Sequence, residues 1–250
     1  MNSLQYFWTP EGALPPGVGF SLWGPAHCAW LLCAAALGTG LCRVYRGRDG
    51  RGRGRLRRGV GTATVLLEAV KDLNLLVQGA MSVYFLPLHL CGLAVFFSFW
   101  HSLRPGRTLG NFLYSTCMPG AAFALLFPDW TAFPPLALQS ILAFVNHTLL
   151  VCYPLMLVRG GDLRPDARRL PACFALLLGL GGAVYLVDRS VQANYMFLLQ
   201  PAPGSPLEWF ARRLGVPGYV AGYIPMLAAV WLLLYLPFRP RPGSQGRPGP

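Results

Sequence analysis

Long apolar runs, separated by short polar stretches, set the pattern of this chain. They cover residues 22–42, 60–78, 83–100, 109–127, 133–158, 171–187 and 217–237. A helix needs roughly 20 such residues, at about 1.5 Å rise each, to cross the hydrocarbon of a bilayer. The pattern therefore predicts an all-α fold, a polytopic membrane bundle of seven transmembrane helices. Residues 1–20 read as an extracellular or interfacial polar-aromatic lead and residues 21–238 as one membrane domain. Residues 239–250, rich in proline and glycine, read as a disordered cytoplasmic tail. The longest connection, 188–216, contains Leu207-Glu208-Trp209-Phe210, which reads as a short interfacial helix.

Composition agrees with the runs. The chain is 54% hydrophobic and 12% charged, with a mean hydropathy of +0.44; soluble domains carry about 25% charged residues. The net charge of +12 does not require a nucleic-acid partner, because cytoplasmic loops of membrane proteins collect arginine and lysine. Eight arginines between Arg43 and Arg58 form a basic, glycine-interleaved loop that reads as a topology anchor. Placing the amino terminus outside and the carboxyl terminus inside puts 17 of the 20 arginines on the inner side. Only Arg189, Arg212 and Arg213 are then left outside. Seven cysteines, an odd number within or beside apolar runs, read as small apolar fillers rather than a disulfide framework. Residues 1–19 lack a basic leader region, so no signal peptide is predicted.

Four runs contain polar groups that lipid penalises. In the third, Leu86-Pro87-Leu88-His89-Leu90-Cys91 joins a histidine to a proline that must kink or start the helix. The second carries Glu68, Lys71 and Asp72 on one side, with Asn74 and Gln78 along its edge. That face must meet the bundle interior or a wet cavity; a self-neutralising Glu68–Lys71 pair that only packs helices is the plainer alternative. The fifth holds Asn146-His147-Thr148, with Pro154 beyond. In the fourth, Asn111 and Ser115 sit at i,i+4 and read as helix–helix hydrogen bonding. Trp130, after Pro128-Asp129, reads as an interface anchor.

Three stretches together resemble one family: Leu86-Pro87-Leu88-His89-Leu90-Cys91, Asn146-His147 with Pro154 downstream, and Asn194-Tyr195-Met196-Phe197-Leu198 ahead of a proline-rich turn. They look like the YwaF-like integral membrane proteins, whose distant eukaryotic branch is called transmembrane protein 164. The resemblance implies a cysteine-dependent acyltransferase acting on phospholipid, with membrane lipid as partner; the arginine-rich composition and loop charge read as a bacterial inner-membrane location. In the eukaryotic branch a cysteine directly precedes the histidine that matches His89, and here that position is Leu88. Cys91 lies two residues beyond His89, about 200° round a regular helix.

Two functions follow as expectations. One is a lipid-modifying enzyme with His89, Cys91 and His147 as catalytic residues and Glu68, Lys71, Asp72, Asn146 and Asn194 binding substrate. The other is a transporter or binder of a small polar or amphiphilic solute, built on the same polar face with Pro87 as a gate. No cofactor is implied, and no spacing compels a metal site.

Overall fold

A computed structural model describes residues 3–202 and 205–238; the expected tail at 239–250 lies outside the described residues. Nine α-helices are present among them: α1 Pro25–Arg46, α2 Gly50–Val77, α3 Leu90–Leu103, α4 Arg107–Phe112, α5 Met118–Leu126, α6 Leu138–Gly160, α7 Leu170–Val191, α8 Pro206–Leu214 and α9 Tyr223–Tyr235. Among the described residues five helical segments are long and apolar enough to cross a membrane: Pro25–Arg46, Arg107–Leu126, Leu138–Gly160, Ala167–Val191 and Gly218–Phe238. The short α8, Pro206–Leu214, falls where the interfacial helix was expected.

Helix α6 is the centre. Of its most apolar stretch 61% is buried, against 6% in α1, and it packs on α1, α2 and α5. The outer helices instead expose large side chains, with Leu32 71%, Leu186 70% and Leu233 71% accessible; apolar faces of this kind suit lipid rather than water. Close approaches need residues without a side chain. A Cβ on Gly61 of α2 would lie 2.8 Å from Ser102, and one on Gly160 of α6 would lie 2.7 Å from the Tyr45 ring.

Three expectations change. The arginine-rich stretch is helical for the most part: α1 runs to Arg46, and α2 starts at Gly50 with Asp49 as its cap, accepting from the Gly52 N–H at 2.7 Å. A side-chain oxygen at this position satisfies one of the four open N–H groups of the first turn, so a glycine-rich stretch becomes helix. Arginines Arg53 and Arg57 then point into the protein. Arg53 donates to the Gly160 carbonyl at 2.7 Å and to Asp162 at 3.2 Å, and Arg57 donates to the Ser102 carbonyl at 3.2 Å.

The third run is not one helix. A single 3-10 turn, Val83–Phe85, is followed by extended backbone at Leu86 and His89, and α3 begins only at Leu90. Pro87 biases the residue before it away from helix. Gly92 lies over Pro87, where a Cβ would approach to 2.7 Å, so the non-helical segment folds against the first turn of α3.

The fourth run carries a π-turn, Leu113–Cys117, between α4 and α5. Pro119 brings no N–H to this point. The carbonyl of Ser115, its α-helical partner, accepts instead from the Trp231 indole N–H at 3.1 Å. Asn111 accepts from the Asp166 N–H at 2.8 Å and from the Tyr235 hydroxyl at 3.1 Å. The break and its neighbour thus tie α9 to the bundle.

Candidate functional site

The second half of α2 presents its charges inward. Glu68 has 11% of its side chain accessible, and Lys71 24%. The Lys71 ammonium is bonded to Glu68 and ion-paired with Asp72 at 3.3 Å. The spacing of three and four residues places all three on one side of the helix. The second Glu68 oxygen accepts from the Asn146 amide of α6 at 3.4 Å, long enough to be a weak bond. Asn146 is itself buried, and its carbonyl oxygen has no partner among the described residues. Two central helices therefore meet through a charge cluster that is incompletely satisfied, and a buried acceptor in that condition calls for a ligand, a water or a chemical role.

His147 follows Asn146 on α6. Its Nδ1 lies 2.8 Å from the Ala143 carbonyl, one turn back, and its ring stacks on Trp130 at 5.0 Å with 25° between planes. Trp130 thus serves as the flat support of a histidine. His89 sits at the residue capping the start of α3, with its ring edge-on to Tyr195 at 5.4 Å and 5.6 Å from Phe197. Its Nδ1 accepts from the Met196 N–H at 3.2 Å. Cys91, a free thiol in the first turn of α3, packs partly buried against the main apolar core.

One expected residue is diverted. The Asn194 side chain is spent on its own loop: its oxygen accepts from Leu199 N–H at 2.9 Å and Gln200 N–H at 3.1 Å, while its amide donates to the Gln200 carbonyl at 3.0 Å. Asparagine readily closes turns of this kind, so in this arrangement Asn194 shapes the loop. Asp129, Trp130 and Asp188 were not singled out from the sequence as site residues. In the sequence Pro128-Asp129-Trp130 reads as a turn with Trp130 as an interface anchor, and Asp188-Arg189 as the start of the longest connection. In the fold Asp188 is fully buried, accepts from the Tyr195 N–H at 2.8 Å, and has its other oxygen unpartnered among the described residues.

Beside the last turn of α2 a cleft of about 400 Å³ is lined by Leu75, Ala80, Phe85, Phe133, Gln139 and residues 10–12. The Gln139 amide nitrogen is buried and unpartnered among the described residues.

The family model of the TMEM164 family matches residues 22–235, so the chain belongs to that family. No curated protein and no solved structure matches it.

Proposed function

We propose that this TMEM164-family protein is an intramembrane enzyme that transfers or hydrolyses acyl groups of membrane lipid. The observation that carries the reading is the meeting of the α2 charges with Asn146, next to His147 on α6. Membrane-buried ionisable groups are costly and persist where they serve a site. In the transferase form the Cys91 sulfur attacks an acyl carbonyl, forming the S–C bond. The ester C–O bond breaks, and the thiol proton passes by way of a histidine to the departing alcohol. Asn146 and the Lys71–Glu68–Asp72 set orient the polar head, and the apolar cleft beside Leu75 admits a chain. An acceptor alcohol then attacks the thioester carbonyl, forming a new ester C–O bond. The S–C bond breaks and the acceptor's proton returns by way of a histidine to the Cys91 sulfur; in hydrolysis water takes the place of that alcohol.

The arrangement in the membrane belongs to the same proposal. The polar α2 and the short α3 complete a seven-span bundle, amino terminus outside and arginine-rich end in the cytoplasm, in a bacterial inner membrane shared with YwaF-like relatives. Gly50 has open space around it, so a cysteine there reports the orientation without disturbing packing. Labelling by an impermeant thiol reagent from outside intact cells, above the level of the parent, overturns it.

Incubation of the purified protein with an alkyne-tagged acyl phospholipid tests the chemistry. An acyl adduct mapping to Cys91 by mass spectrometry, absent in Cys91→Ala, is expected; an unlabelled protein that releases no acyl group overturns the enzyme. Helix α3 favours a second reading. With 14 residues it spans about 21 Å, and non-helical backbone precedes it at membrane depth. Broken helices of this type line the sites of transporters. Uptake of a solute into vesicles without any covalent adduct supports that reading.

A further inference from the structure

The backbone partners of the two site histidines differ in kind. A carbonyl only accepts, so at 2.8 Å from Ala143 O the Nδ1 of His147 must carry the hydrogen. A neutral imidazole has one N–H and one bare nitrogen, so the Nε2 of His147 is bare. An amide N–H only donates, so at 3.2 Å from Met196 N the Nδ1 of His89 must be bare, and its Nε2 carries the hydrogen.

Each arrangement is held from outside. The Trp130 stack fixes the His147 ring plane. The N–H that meets His89 comes from a loop wound into an uncommon shape: Met196 and Phe197 have φ of +52° and +53°, a region non-glycine residues seldom enter. Asp188 accepts from Tyr195, the Tyr223 hydroxyl donates to the Met196 carbonyl at 2.8 Å, and the Tyr219 hydroxyl donates to the Phe197 carbonyl at 2.7 Å. Strain of this kind persists only where surrounding contacts over-determine it. The other two histidines provide a contrast. His27 receives the Trp23 N–H on Nδ1 at 3.0 Å and meets the Leu125 carbonyl through Nε2 at 2.9 Å, so both nitrogens are committed to the backbone. His101 Nδ1 pairs with the buried Tyr153 hydroxyl at 2.9 Å, in the last turn of α3.

We infer that His89 and His147 are locked in opposite tautomers and divide the work of the site, with His147 as proton acceptor through Nε2 and His89 as hydrogen-bond donor through Nε2–H. Asp188 is a positioning residue that holds the donor form through the Tyr195–Phe197 loop. The inference rests on the enzyme reading for its roles. In that setting His147 takes the thiol proton and returns it to the leaving alcohol, while His89 donates to the oxygen on which charge develops at the acyl carbon. Taking up a proton at Nδ1 of His89 would break the Met196 bond, which disfavours it as a base.

The test reads the tautomers directly. The full-length protein is labelled with 15N-histidine in lipid bilayers, signals are assigned by single His→Gln variants, and the protonated nitrogen of each ring is identified by NMR at neutral pH. Hydrogen on Nε2 of His89 and on Nδ1 of His147 is expected. The same tautomer in both rings overturns the inference, whether or not the protein proves to be an enzyme. Asp188→Ala is expected to shift the His89 signals and leave those of His147 in place; unchanged His89 signals remove Asp188 from the scheme. In the acyl-transfer assay, His89→Gln, which keeps a donor, is expected to retain at least ten times the activity of His89→Ala. His147→Gln is expected to fall as far as His147→Ala, about 100-fold. Equal loss in both histidine pairs overturns the division of roles, and no transfer by the parent protein defeats the enzyme reading while the NMR result decides the tautomers.

Discussion

Helix α2 carries two polar clusters, about 22 Å apart along its axis, and they are built differently. Near its start, Arg53 donates to Gly160 and Asp162, and the Tyr45 hydroxyl donates to the same Asp162 at 2.5 Å. The Arg53 guanidinium also lies over the Tyr45 ring, 5.7 Å from its centre. Here the carboxylate, the hydroxyl and the guanidinium all find partners, and the cluster ties the ends of α1, α2 and α6 together. Farther along, Lys71 bonds to Glu68 and is ion-paired with Asp72, yet Asp72 Oδ1 and the Asn146 carbonyl oxygen beside them have no hydrogen-bond partner among the described residues. Polar groups that close on themselves act as a staple, whereas a buried network with an open acceptor is poised for something else. On the proposed reading it is incomplete satisfaction, and not charge alone, that distinguishes the candidate site from the staple.

The sharpest test of that contrast is Lys71→Met. It strands two carboxylates, one of them well buried, and is expected to cost about 3 kcal/mol, read as a lower thermal midpoint in detergent or nanodiscs. A variant as stable as the parent shows that the pairing does not hold the helix. Asp162→Ala comes next, at about 2 kcal/mol. It leaves the Tyr45 hydroxyl and Arg53 without their shared acceptor, and water softens the loss because Arg53 and Asp162 are 26% and 33% accessible. Acyl transfer per folded molecule is expected to be unaffected, and a selective loss of transfer without loss of stability places function at the wrong end of α2.

Trp231→Phe probes the helix break. Without its indole donor the Ser115 carbonyl beside Pro119 loses its partner, and a cost of about 1 kcal/mol is expected in a denaturation series. An unchanged midpoint shows that the break is satisfied in another way. Asn146→Ala has the smallest expected effect on stability, under about 1 kcal/mol, since a 3.4 Å bond is weak and the unpartnered oxygen leaves with the side chain. Its effect on acyl transfer is expected to be about 100-fold. Destabilisation of 2 kcal/mol or more makes Asn146 another staple and erases the contrast.

Five apolar helices were legible in the chain because lipid selects on composition alone: a run such as 133–158 needs no knowledge of its neighbours to be recognised as α6. The inward turn of Glu68, Lys71 and Asp72 was legible for the same reason, since side chains three and four residues apart share a helix face that lipid cannot solvate. The tertiary structure decided the rest. Whether Arg53 and Arg57 face a membrane surface or the Gly160 and Ser102 carbonyls depends on where α6 and α3 end, hundreds of atoms away along the chain. Asn194 and Asp188 look alike in sequence as polar residues near a loop. Local bonds consume Asn194, while Asp188 is buried and holds the loop whose N–H meets His89. Which nitrogen of an imidazole is left free is set by a backbone group on another segment, or one turn back on its own helix. A hydrogen bond depends on direction and on a distance good to a few tenths of an ångström. Hydropathy, summed over twenty residues, carries neither.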